Sequence, residues 1–192
     1  LLSIAAQAIE SGRKRQKSAA APRDVANEPI GSSALMQVLR GKAEQAAQHD
    51  LPVMITGDEG SGRENLARFV HVRSGRRGAI VCLDRAELSA GGARDYLLGR
   101  EDGDSKQRGL FERARGGTLF IPELEDLPED ARRVIDQALD SGHWLPEGGS
   151  GPRQVECRVV ASACGDLPAR AARDESLQQL YFRLNVLPLE MP

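Results

Sequence analysis

Short apolar runs alternate with longer amphipathic stretches along most of this chain. The apolar runs have strand length and predict strands at 52–57, 79–83, 117–121, 157–163 and 186–190. Apolar residues at helical spacing predict helices at 33–49, 62–73, 93–98, 106–115, 128–141 and 174–184. Nearly continuous apolar strands separated by helices are typical of a parallel sheet covered on both faces. We therefore expect an α/β fold with a parallel sheet of about five strands.

Two segments precede this alternation. Residues 1–17 carry apolar residues on one helical side and predict a helix, whereas residues 18–28 lack periodicity and predict a flexible linker. The helix at 33–49 has Ser32 or Ser33 as its N-cap, and its buried face is expected to hold Leu35, Met36, Leu39 and Ala43. Because the chain opens on leucine, we expect it to be a fragment of a longer protein.

Composition narrows the functional classes. The net charge is −2, so the chain lacks the overall basic character of a nucleic-acid-binding domain. No apolar stretch approaches the roughly 18 residues that span a membrane, and no basic n-region marks a signal peptide, so a cytoplasmic protein without membrane contact is expected. The three cysteines fit no metal spacing and are predicted to be buried free thiols, as in a reducing compartment: Cys82, Cys157 and Cys164.

A glycine-rich segment follows the first predicted strand. Residues 57–64 read Gly-Asp-Glu-Gly-Ser-Gly-Arg-Glu. In the pattern G-x-x-x-x-G-K-[ST], backbone N–H groups surround phosphates and the lysine reaches the outer ones. The glycine spacing and the strand–loop–helix setting are retained, but arginine replaces the lysine. The candidate nucleotide-binding residues here are Gly57, Gly60, Ser61, Gly62, Arg63 and Glu64.

Further segments match, in order, the landmarks of one family. They are Ile30-Gly-Ser-Ser-Ala-Leu-Met36, Gly109-Leu-Phe-Glu112, Gly116-Gly-Thr-Leu-Phe-Ile121, Arg158-Val-Val-Ala161 and Leu180-Tyr-Phe-Arg-Leu-Asn-Val186. From residue 29 to 192 the chain resembles the AAA+ domain of the NtrC-like activators of sigma-54 RNA polymerase. The resemblance implies a P-loop nucleotide subdomain that binds ATP or ADP, with Ile30 and Gly31 near the adenine.

The resemblance also implies partners and neighbouring domains. The helix at 1–17 would join an upstream receiver or sensor domain of a two-component system to the AAA+ subdomain. The family forms homo-oligomers, contacts sigma-54, and continues into a helical lid and a DNA-binding helix-turn-helix. Neither of those last two is expected within these 192 residues. DNA contact is therefore expected only through a C-terminal domain outside this chain.

Two departures from the family affect its nucleotide chemistry. Arg63 keeps the positive charge of the lysine and either contacts phosphate or fills the site by pairing with Glu59, Glu64 or Glu123. Pro122 replaces the aspartate that holds magnesium in the family, and it should end the strand. We therefore expect no metal site here. Glu123 keeps the position of the catalytic base, either as a residual base or as an acid on a solvated strand end.

Two further departures concern the finger and the sigma-54 loop. Leu177 replaces an arginine, Cys164 replaces the sensor asparagine, and Arg183 remains as a candidate arginine finger or as a helix-end residue. The family's Gly-Ala-Phe-Thr-Gly-Ala loop is replaced by the polar stretch 99–109, which predicts a turn-rich, mobile loop without sigma-54 contact.

Three functions remain in view. The first is a hydrolysis-deficient transcriptional regulator domain that acts by oligomer or partner interactions, with residual nucleotide binding. The second is a sensor that binds ATP or ADP with little turnover. The third, a working sigma-54 activator ATPase, requires the groups that this chain has lost.

Overall fold

The computed structural model describes residues 31–103 and 105–192. The predicted helix at 1–17, the predicted linker at 18–28 and Ile30 lie outside the described residues. The helices are α1 (Ala34–Ala47), α2 (Arg63–Arg73), α3 (Arg85–Gly91), α4 (Ala93–Leu98), α5 (Leu110–Arg113), α6 (Glu129–Ser141), α7 (Leu167–Ala171) and α8 (Glu175–Leu184). The strands are β1 (Val53–Thr56), β2 (Ile80–Cys82), β3 (Gly99–Asp102), β4 (Ser105–Arg108), β5 (Thr118–Ile121), β6 (His143–Trp144), β7 (Arg153–Gln154), β8 (Arg158–Ala163) and β9 (Leu187–Glu190).

The five predicted strands form one sheet in the order β2-β5-β8-β1-β9. Every pairing within it is parallel. The register pairs Thr56 with Ala163 on one side and with Glu190 on the other, so β1, β8 and β9 end at the same edge. The α/β prediction is confirmed, and the carboxyl edge of this sheet is where ligands of doubly wound folds bind.

Successive side chains along the strands belong to two separate hydrophobic cores, one on each face of the sheet. On one face, Val53 and Ile55 pack with the buried residues of α1 and α2. On the other face, Met54 packs with the buried residues of α3, α4, α6 and α8. Because successive strand residues point to opposite faces, a strand with helices on both sides must be apolar throughout. The helices therefore cover both faces, as the continuous apolar runs predicted.

The helix boundaries follow their caps, with some corrections. Ser33 caps α1, since its hydroxyl accepts from the Met36 N–H at 3.3 Å. Leu35 was predicted to be buried but is 67% exposed, because it lies on the outer side of α1. Short helices α3 and α7 were not predicted, and each begins at an aspartate whose carboxylate accepts backbone N–H groups, Asp84 and Asp166.

The cysteines differ from expectation in burial. All three are free thiols among the described residues, but Cys82 is exposed, while Cys157 and Cys164 are half-buried. Cys82 ends the edge strand β2, where only one neighbouring strand covers it. Burial raises the pKa of the Cys157 thiol to about 11.

Candidate functional site

The glycine-rich loop runs from the end of β1 to the start of α2. Gly60 (φ 76°) and Gly62 (φ 94°) have left-handed backbone conformations, which glycine adopts without strain. A Cβ added at Gly57 would lie 2.5 Å from Met191 Cβ, so the residue that follows β9 packs directly against the loop. The predicted strand–loop–helix is confirmed, with the amino end of α2 facing the carboxyl edge of the sheet.

Two polar groups in this loop are buried without partners. Ser61 Oγ and Arg63 Nη1 have no hydrogen-bond partner, although Arg63 is only 8% exposed. The predicted alternative of an ion pair is not what the structure contains: Glu64 pairs with Arg68 at 2.8 Å, and no ion pair of Arg63 occurs among the described residues. Buried donors usually have acceptors, and an anionic group such as phosphate would supply them here.

Strand β5 leads to Pro122 and Glu123, which together occupy the Walker B position of the family, and it ends where the proline predicted. β5 stops at Ile121, and Glu123 follows in the left-handed region at φ 47°, the only positive φ of a non-glycine residue in the described ranges. The Glu123 Oε2 atom lies 2.7 Å from Arg85 Nη2, so its carboxylate is occupied by an ion pair. Pro122 offers no oxygen to a cation. Magnesium at nucleotide sites is bound through one or two carboxylates together with the phosphates, and position 122 supplies no carboxylate.

Four residues near Glu123 have contacts that the sequence did not reveal: Arg85, Glu125, Asp126 and Arg170. Arg85 also contacts Asp126 at 3.2 Å, and Asp126 contacts Arg170 at 3.1 Å, which makes a surface network of alternating charge. Glu125 is only 6% exposed, and its Oε1 accepts a hydrogen bond from the Cys164 N–H at 2.7 Å. The other carboxylate oxygen, Oε2, is buried without a partner. A buried acid at this position had no sequence signal, because acids on short turns are usually solvated.

The candidate finger lies on α8 and contacts α6 of the same chain. Arg183 donates to Asp136 at 2.7 Å and pairs with Asp140 at 2.8 Å. The hydrogen bond to Asp136 raises the pKa of the Arg183 guanidinium above its usual range. Leu177, which replaces the other arginine, is buried in the core, and its N–H donates to Asp174 at 3.1 Å. That bond is the main reason that the pKa of Asp174 lies below its usual range.

A cleft of about 550 Å³ opens beside the glycine-rich loop. It is lined by Thr56, Gly57 and Asp58, by residues 165–168 after β8, and by Tyr181, Asn185, Pro188, Glu190 and Met191. Gly31 lies at the start of α1, where its carbonyl accepts from Arg40. Of the predicted nucleotide residues, only Gly57 lines this cleft, and Ile30 lies outside the described residues.

The polar stretch 99–109 is a hairpin and not an irregular loop. β3 and β4 pair in antiparallel register, so the predicted helix at 106–115 is wrong over its first half, and only Leu110–Arg113 is helical. Backbone bonds anchor the hairpin, from the Glu101 N–H to the Glu147 carbonyl at 2.8 Å and from the Glu147 N–H to the Gly99 carbonyl at 2.9 Å. The alternating charged side chains favour strand pairing here over a helix.

Arg153 joins this hairpin to the β6–β7 hairpin. Its guanidinium lies 5.2 Å from the centre of the Trp144 ring and 2.8 Å from Glu112, and it also pairs with Glu101. A second cleft of about 650 Å³ lies between the hairpins, away from the glycine-rich loop. The charged side chains that line this cleft are largely paired with one another, so we do not assign the nucleotide to it.

Comparison with known families settles the membership. A family profile described as the sigma-54 interaction domain matches residues 29–190. The chain belongs to that family. It is therefore an NtrC-like sigma-54 enhancer-binding AAA+ domain, and the fold predicted from its landmarks is the fold that it has.

Relatives of this sigma-54 interaction domain are longer proteins. The DNA-binding transcriptional regulator NtrC of Rhizobium meliloti (strain 1021) is 36% identical over 169 residues, which are 85% of this chain and 35% of the relative. The crystal structure of NtrX from Brucella abortus in complex with ADP is 29% identical with a TM-score of 0.79, covering 100% of this chain and 42% of that one. The structure of the same protein in complex with ATP is 28% identical with a TM-score of 0.78, and it covers 98% of this chain and 44% of that one. The chain thus spans less than half of each relative.

None of the helices that the structure describes is both long enough and apolar enough to cross a membrane. 

Proposed function

We propose that this domain is a transcriptional regulator module that does not turn over ATP and acts through contacts with partners and with further copies of itself. One observation carries the proposal. The two candidate hydrolytic residues that remain, Glu123 and Arg183, are both held in ion pairs of the same chain, at 2.7 Å from Arg85 and from Asp136. Each group would have to leave its ion pair before it could act on a neighbouring phosphate.

The missing groups add to this effect. Phosphoryl transfer depends almost entirely on positioning and charge neutralisation, so each lost group lowers the rate steeply. Pro122 stands where a metal-holding carboxylate is needed, Leu177 is packed into the core, and Cys164 offers a backbone N–H to Glu125. An arginine finger alone accounts for a factor of about 10³ or more in related enzymes.

Nucleotide binding without turnover forms a second part of the proposal. The unpartnered Ser61 Oγ and Arg63 Nη1 atoms support a phosphate group at the loop. The ADP and ATP complexes of NtrX from Brucella abortus support the same assignment by similarity. In this reading Gly57, Gly60, Ser61, Gly62 and Arg63 hold the phosphates. A nucleotide sensor is thus the second candidate function.

The wider setting follows from the longer relatives. Since the chain spans about a third of the NtrC relative, we propose that DNA contact is made by a domain outside this chain. We also propose that residues 1–17 and 18–28 connect the AAA+ subdomain to an upstream receiver or sensor domain. Sigma-54 is not proposed as a partner, because the hairpin at 99–108 is polar and anchored to a second hairpin.

Phosphate release measured with ATP and magnesium tests the proposal. We expect multiple-turnover release by the wild-type domain to equal that of the Glu123→Gln variant, since Glu123 is already engaged by Arg85. Turnover in the wild type that the Glu123→Gln substitution abolishes would restore the working-ATPase function. Glu129→Gln serves as a charge-matched control, because Glu129 is exposed and pairs only with Arg133 among the described residues.

A further inference from the structure

Glu125 occupies an unusual position for an acid. Its side chain is buried, one oxygen is held by the Cys164 N–H at 2.7 Å, and the other oxygen has no partner. No arginine, lysine or histidine pairs with it among the described residues, although Arg85 and Arg170 lie on the neighbouring surface network and are taken by Glu123 and Asp126. An uncompensated buried carboxylate is expensive to maintain, so its location is informative.

The sheet order places this carboxylate between the two parts of the nucleotide site. Cys164 directly follows Ala163, and Ala163 pairs in register with Thr56, the residue before the glycine-rich loop. β8 lies between β1, which carries the loop, and β5, which carries the Walker B position. Adjacent strands are about 4.8 Å apart, so the Cys164 N–H that holds Glu125 lies about one strand spacing from the start of the loop.

The outer phosphates of a bound nucleoside triphosphate occupy this side in P-loop ATPases. There, the loop lysine and the metal between the loop and the Walker B acid both contact the β- and γ-phosphates. In this chain Pro122 stands at the position of the metal ligand, and the carboxylate of Glu125 accepts a hydrogen bond from Cys164, the residue that follows the intervening strand. A third phosphate would therefore meet an unpaired negative charge at a place where no metal ligand remains.

We infer that Glu125 makes this site select a nucleoside diphosphate over a triphosphate. The inference rests on the nucleotide binding proposed above and assigns its specificity. Two phosphates can be held by the backbone N–H groups of the loop with Ser61 and Arg63, whereas the terminal phosphate of ATP is repelled. The domain would then be a receptor for the ADP form, whose occupancy follows the ratio of the two nucleotides.

Titration calorimetry without magnesium provides the test. The wild-type domain should bind ADP at least about tenfold more tightly than ATP, because one like charge several ångströms away in a protein interior repels by at least that factor. Glu125→Gln keeps the oxygen that accepts from Cys164 and removes the charge. It should tighten ATP binding about tenfold and leave ADP within about twofold.

The controls separate charge from shape and from folding. Glu125→Asp keeps the charge and should keep the preference for ADP, while Glu129→Gln should alter neither affinity. A thermal melt of each variant checks its folding. If Glu125→Gln does not fold, the wild-type domain alone still tests the inference. Equal wild-type affinities for ADP and ATP would contradict it, and tighter binding of ADP would support it.

Other outcomes are equally definite. If Glu125→Gln abolishes a magnesium-dependent gain in ATP affinity, the carboxylate is a metal ligand and the inference is wrong. If ADP and ATP bind equally in every variant, the inference fails while the proposed nucleotide binding stands. If neither nucleotide binds, both fail, although absence of turnover would still support the regulator function.

Discussion

The guanidinium of Arg85 lies 2.7 Å from the carboxylate of Glu123, across the gap between the ends of β2 and β5. Glu123 reaches this position through a left-handed backbone at φ 47°, a conformation that costs a non-glycine residue on the order of 1–3 kcal/mol. The strand ends at Ile121, before Pro122, and the next turn begins directly afterwards at Glu123. One local change in the backbone, at residues 122 and 123, therefore affects both the position of the catalytic base and the position of the missing metal ligand.

Restoring one of these groups should recover little activity. Pro122→Asp restores a carboxylate that can bind metal, and Arg85→Ala frees Glu123 from its ion pair. Neither variant restores the groups that Leu177 and Cys164 replace, and hydrolysis needs all of these groups in the same transition state. Groups that act as a unit are strongly non-additive. We expect each single variant and the double variant to stay within about tenfold of wild-type phosphate release.

Arg133→Ala is the matched control for Arg85→Ala, because Arg133 is exposed and its ion pair with Glu129 lies on α6. A large rise in turnover from Arg85→Ala alone would show that the ion pair, and not the missing ligands, blocks hydrolysis.

Arg63 should contribute to nucleotide binding. Its Nη1 atom is buried without a partner, and a guanidinium forms strong, charge-assisted hydrogen bonds to phosphate. Arg63→Ala should therefore weaken ADP binding by about tenfold or more. Arg68→Ala, one turn along α2 and paired with Glu64, should leave the affinity unchanged. The measurement is again calorimetric, and tighter binding by Arg63→Ala would mean that the arginine fills an empty site.

Much of the fold could be predicted because the apolar pattern is unambiguous for buried parallel strands. Val53, Met54 and Ile55 alternate between two cores, and only a doubly covered strand requires all three to be apolar. The hairpin at 99–108 was mistaken for a loop because its four strand residues on the β4 side are all exposed. Without a buried side there is no two-residue apolar period to detect.

The site was predictable only in part. The glycine spacing located the phosphate loop, since left-handed φ values at Gly60 and Gly62 depend on local sequence. The pairings that change its chemistry depend on tertiary structure. Arg85 and Glu123 are 38 residues apart in the sequence, and Glu125 and Cys164 are 39 residues apart. No local sequence pattern indicates that such distant groups are in contact.

The free energy of unfolding should depend on Cys157 in alkaline solution. Burial raises the pKa of its thiol from 9.0 to about 11 in the folded state. The folded state thus favours the protonated thiol. The associated stability is complete below pH 9 and is lost as the pH rises toward 11. By pH 10.5 the loss should be about 2 kcal/mol.

Urea unfolding at pH 8 and at pH 10.5 measures this loss. Cys157→Ala should reduce the difference between the two pH values by about 2 kcal/mol, whereas Cys82→Ala, at a more exposed position where burial also raises the pKa of the thiol, should reduce it less. An unchanged difference in Cys157→Ala would assign the alkaline loss to other groups.

The last prediction concerns sigma-54. The hairpin in the region of the family's contact loop presents Asp102, Gly103 and the exposed strand β4, and its backbone is bonded to Glu147. Charged side chains of this kind are strongly hydrated, and their burial against a partner without matched charges is unfavourable. We expect no stable complex between the full-length protein and purified sigma-54 on a gel shift, even with a transition-state analogue of ATP. A complex that forms with the wild type and is lost on deletion of residues 101–107 would contradict this prediction, provided that the deletion variant keeps its cooperative thermal melt. It would show that this hairpin contacts sigma-54 and that the domain is an activator.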